Sequence, residues 1–79
     1  MNSLGRKMLK IMESTPVQGM SVHILSKQSH DAGFDFESIT YENVPMLMEN
    51  LESVLPFFMP KAVVANTLEE FKKLEENNR

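Results

Sequence analysis

The sequence predicts an all-α fold: a small bundle of four or five short helices around one central amphipathic helix. Three observations carry this. Residues 40–58 (TYENVPMLMENLESVLPFF) place Val44, Leu47, Met48, Leu51, Val54, Leu55 and Phe58 at i, i+3, i+4, i+7, i+10, i+11 and i+14, an apolar stripe held in phase for four turns. Helix start and stop signals recur along the rest of the chain. With only 79 residues and no cysteine, the chain fits one domain whose burial is thin and has no covalent or thiolate staple.

The first element is a helix from Ser3 to Ser14. Leu4, Met8, Ile11 and Met12 share a face, Arg6, Lys7 and Lys10 turn outward, and Asn2 or Ser3 supplies the cap. Thr15-Pro16 ends it, because a residue before proline avoids the α region.

The second element reads two ways between residues 17 and 25. Val17, Met20, Ile24 and Leu25 are helically spaced, whereas Met20, Val22 and Ile24 alternate with Ser21 and His23 as a strand would. The length of the segment to Ala32 favours helix. Gly33 then suits the left-handed C′ position.

Residues 35–39 are a connector, and Phe34, Phe36 and Ile39 are expected to face inward. Thr40 caps the central helix, and Pro45 places the start of regular helix near Asn43, behind a slightly distorted first turn. Pro56 predicts a kink, with the stripe running on to Phe58. Pro60 suits the start of a last helix whose apolar residues are Val64, Leu68, Phe71 and Leu74. Thr67-Leu68-Glu69-Glu70 has the form of a capping box, so residues 60–76 are either one helix or two. Glu69 and Lys73 are spaced as an i, i+4 pair. Residues 76–79 are expected to be a frayed tail of the single domain, residues 1–79.

Composition narrows the function. The net charge is −3, and the eight Lys and Arg are dispersed, which argues against a nucleic-acid partner. A helix-turn-helix reading of the second and third elements would present Glu42, Glu49 and Glu52 to phosphates. No apolar run reaches the ~18 residues of a membrane span, and no secretory leader is recognisable, so a cytoplasmic protein without a membrane partner is expected.

No nucleophile motif, phosphate-cradling glycine loop or dinucleotide fingerprint occurs, and no catalytic residue is assigned. His23 and His30 lie seven apart, roughly 10 Å along a helix, too far to share one metal. Asp31, Asp35, Glu37 and Glu42 crowd one turn without the spacing of a calcium loop, and read as capping and solvation. Neither metal nor cofactor is expected.

Ala32-Gly33-Phe34-Asp35, then Phe36-Glu37-Ser38-Ile39, an acid-bearing helix, a short segment and a capped last helix resemble the layout of acyl carrier proteins. The resemblance runs from Gly33 to Leu74 and implies a four-helix domain with Ser38 as the attachment site of the prosthetic group. Two extra residues separate Asp35 from Ser38, Glu37 stands where aspartate precedes the carrier serine, and Pro45 enters the recognition helix.

The leading expectation is a small non-enzymatic protein–protein interaction or self-association module, most simply a homodimer. Seven methionines in a chain short of core suit adaptable packing or docking. Met46 and Phe57 fall off the central stripe, and with Met59 they are the expected interface residues.

Overall fold

A computed structural model describes residues 1–77. Among them are four α-helices and no strand: α1 (Ser3–Glu13), α2 (Ser21–Asp31), α3 (Val44–Val54) and α4 (Lys61–Asn77). Single 3₁₀ turns at Gln18–Met20, Phe36–Ser38, Tyr41–Asn43 and Leu55–Phe57 lie in the connections. The small all-α bundle that the sequence predicts is the fold.

Each boundary has a local cause. α1 begins at Asn2, whose Oδ1 accepts from the Gly5 N–H at 2.9 Å. α2 ends in a left-handed cap at Gly33 (φ 96°). The Phe34 N–H donates to the Ser29 carbonyl, and the Gly33 N–H to that of His30, which is the Schellman pattern. Before α3, the carboxamide oxygen of Asn43 accepts from both the N–H and the hydroxyl of Thr40, at 3.0 and 3.1 Å. The Tyr41–Asn43 turn then delivers Pro45 to the first turn of α3, where its missing N–H costs nothing.

Val44, Leu47 and Leu51 of α3, with Leu55 just beyond, have no exposed surface. Around them lie Met8 and Met12 of α1, Ile24 and Leu25 of α2, Phe36 and Ile39 of the connector, and Val64 and Phe71 of α4. The principal contacts run α1–α2, α2–α3, α3–α4 and α4–α1, a closed ring. Ile11, Ser14 and Thr15 face Val63, Asn66 and Thr67, whereas Lys7 and Lys10 face Leu74, so α1 and α4 run antiparallel. The chain therefore goes up, down, up and down. One end gathers the C-termini of α1 and α3 with the N-termini of α2 and α4.

Several expectations are corrected. Residues 17–25 form neither a strand nor a single helix. Val17 leads into a 3₁₀ turn and α2 takes its phase from Ser21, so Ser21 is buried where Met20 was expected. Pro56 breaks the helix instead of kinking it, because it has no N–H to give Glu52 and its ring crowds that carbonyl. α3 stops at Val54, the chain turns through Leu55–Phe57, and burial passes from Phe58 to Met59. The last segment is one helix. Thr67 is not a cap but a buried mid-helix residue whose hydroxyl donates to the Val63 carbonyl at 2.8 Å. Lys73 pairs with Glu70 at 3.8 Å instead of Glu69. Glu76 and Asn77 complete α4, and the rest of the expected tail lies outside the described residues.

No helix among the described residues is long and apolar enough to cross a membrane.

Candidate functional site

The surface feature that the burial pattern singles out is the end of the bundle where α3 turns into α4. Pro56 and Pro60 bracket that turn. The inward positions are Leu55 and Met59, four apart. Phe57, midway between them, is left 84% exposed, and Phe58 beside it 42% exposed. A phenylalanine kept in water forgoes about 2 kcal/mol of the transfer free energy that burial supplies. Single exposed apolar residues are ordinary, but this one is not single.

Because α2 starts at the same end, Met20 and Val22 arrive there too, each about half exposed. Between Glu13, which closes α1 at this end, and Asp31 there is no carboxylate, nor between Glu52 and Glu69, although Lys61 opens α4 here. Exposed aromatic and methionine side chains with few acidic neighbours share part of the composition of an interface centre.

The expected interface residues separate into three cases. Phe57 is the most exposed large apolar residue described. Met46 is 45% exposed, but it sits in the first turn of α3, roughly 16 Å along the helix from Phe57 at 1.5 Å per residue. The two do not form one patch. Met59 is corrected: it is 5% exposed and belongs to the core, four residues on from Leu55. Phe58, Met20 and Val22 join Phe57 at the end of the bundle instead. The alternation of Met20 and Val22 with polar neighbours was the visible signal, although Met20 read as an inward residue.

Ser38 is exposed and closes the Phe36–Ser38 turn, with its hydroxyl 3.4 Å from the Asp35 carbonyl. Carrier architecture would start a long helix at this serine. Here Ile39 and Thr40 are extended, a further 3₁₀ turn follows, and α3 begins only at Val44. α2 also occupies the stretch that such carriers leave as a long loop.

Among the described residues no group of three or more His, Cys, Asp or Glu side chains converges as a metal ligand set. Asp35 instead caps its own turn, accepting from the Glu37 N–H at 3.1 Å. Two surface recesses, each near 390 Å³, are open grooves. One is lined by Ser26, His30 and Phe34, and the other runs between α1 and α4.

These features define a class and nothing narrower: a small antiparallel four-helix bundle with exposed apolar side chains at one end. No protein-family model matches the chain, and neither a curated protein nor a solved structure is significantly similar to it.

Proposed function

We propose that this chain is a non-enzymatic protein–protein interaction module that self-associates through the end of the bundle carrying Phe57. The supporting observation is the 84% exposure of Phe57 at an end where Phe58, Met20 and Val22 are also exposed. In water that surface is unfavourable, and a second copy offers a matching apolar surface.

The size of the patch sets the strength expected. Phe57, Phe58, Met20 and Val22 leave on the order of 400 Å² of apolar surface in water. That is about half of the ~800 Å² per partner of a standard interface. The association should be weak and concentration-dependent, not obligate.

Light scattering across a concentration series tests this. The expected result is a mass rising from monomer towards dimer, and a Phe57→Asp variant that stays monomeric with unchanged helical circular dichroism. A monomer at every concentration overturns the reading, as does a variant that associates like the parent. Loss of helical signal in the variant would show Phe57 to be core, and would overturn it too.

A further inference from the structure

We propose that the furrow between α1 and α4 is a docking groove for an acidic amphipathic helix of a protein partner. This surface is separate from the Phe57 end, and the inference does not rest on self-association.

The furrow exists because the facing side chains are short. Ser14 and Thr15, just past the end of α1, meet Asn66 and Thr67 of α4, where leucines would fill the seam. Two recesses on this seam meet at Ile11 and Ser14 and together span from Leu74 to Val63. At 1.5 Å per residue that is roughly 16 Å, the length of three helical turns. Ile11, Val63 and Leu74 are only partly buried and place an apolar side chain at each end and in the middle of this length, among the polar Ser14, Thr15, Asn66 and Thr67. Apolar contacts spaced over that length suit a helix laid into a groove by residues at i, i+3, i+4 and i+7.

Charge selects the kind of helix. Lys7 and Lys10 stand at the Leu74 end of the furrow, and neither makes an ion pair with a described residue. On the opposite wall the carboxylate is Glu70, 3.8 Å from Lys73 and so partly neutralised. α1 carries Arg6, Lys7 and Lys10 against Glu13, in a chain whose net charge is −3. The complement is a helix with carboxylates at one end and apolar residues along the next three turns. A flat anionic membrane fits less well, since it would also meet the exposed Glu69 and Glu76 of α4, whereas a narrow helix meets only Glu70, which Lys73 already pairs.

The test is a titration of the ¹⁵N-labelled chain, followed by amide NMR shifts. The probe is a synthetic amphipathic helix of about 15 residues, long enough to be helical, with glutamates at one end and leucines at helical spacing. Saturable shifts confined to residues 7–15 and 63–74 are expected. Lys7→Glu combined with Lys10→Glu should weaken binding about tenfold or more, since two exposed ion pairs are lost. Both lysines are exposed, so circular dichroism should not change. No saturable shift, shifts centred on Phe57, or equal binding of a lysine-ended probe overturns the proposal. Co-sedimentation with phosphatidylserine vesicles that the same double variant abolishes would assign the furrow to a membrane, and overturn it as well.

Discussion

The side chain of Asn2 ties the start of the chain to Ile39, 37 residues away. Its Oδ1 caps α1 at the Gly5 N–H, and its Nδ2 donates to the Ile39 carbonyl oxygen at 2.8 Å. One amide thus fixes the first turn of α1 against the connector that leads into α3. The two halves of this role are separable. Asn2→Asp keeps the cap and loses the donor, while Asn2→Ala loses both. Urea unfolding should give a cost of about 1–2 kcal/mol for Asn2→Ala and a smaller one for Asn2→Asp. An aspartate variant as stable as the parent would mean that the Ile39 bond carries no weight.

Gly33 gives a second, purely conformational prediction. Its φ of 96° lies where side chains are disfavoured, yet a methyl group there would meet nothing within 4 Å. Gly33→Ala should therefore destabilise through the backbone alone, by about 1–2 kcal/mol. Asparagine, which tolerates this region better, should cost less. Equal losses for alanine and asparagine would point to a contact made by the glycine itself.

What the sequence made legible was local. The Gly33 cap, the Thr40 start, the position of Pro45 and the Val44–Leu55 stripe all follow from residues within one or two turns of each other. Misreadings arose where a local signal met a longer-range constraint. Thr67 heads a valid capping box, but no breaker precedes it, so α4 runs through and its hydroxyl turns back to Val63. Phe58 holds the stripe's phase on paper, and loses it because Pro56 ends the α-helix two residues earlier. Phe57 was recognisable as an off-stripe aromatic. Its grouping with Met20 and Val22 was not, since that depends on which helix ends share a face. The furrow between α1 and α4 was equally invisible, being a property of the first and last helices of the chain.

Ser29 offers a prediction of opposite sign. Its side chain has no exposed surface, and its hydroxyl finds no partner in the core. An unsatisfied buried hydroxyl is a net cost, and alanine is also the better helix former. Ser29→Ala should raise stability by about 0.5–1.5 kcal/mol, read as a higher urea midpoint at unchanged slope. A loss of stability would show that the hydroxyl is satisfied in solution, most simply by a bound water.

Phe57 and Met59 make the sharpest comparison, because two apolar residues on either side of Phe58 have opposite fates. Met59 is 5% exposed and packs with the core, so Met59→Ala removes buried atoms and leaves a void. The cost should be about 2–5 kcal/mol, a large part of the stability of a chain this small. Phe57, at 84% exposure, gives up little folded-state packing when truncated. Phe57→Ala should change the stability of the dilute monomer by less than about 0.5 kcal/mol, as surface substitutions usually do. Chemical denaturation at low and high protein concentration separates the two effects. The Met59 loss should not depend on concentration, while any loss from Phe57→Ala should appear only where copies associate, since binding stabilises the folded state by mass action. A large loss from Phe57→Ala at high dilution would place the ring inside the fold, and the apolar end would then be core.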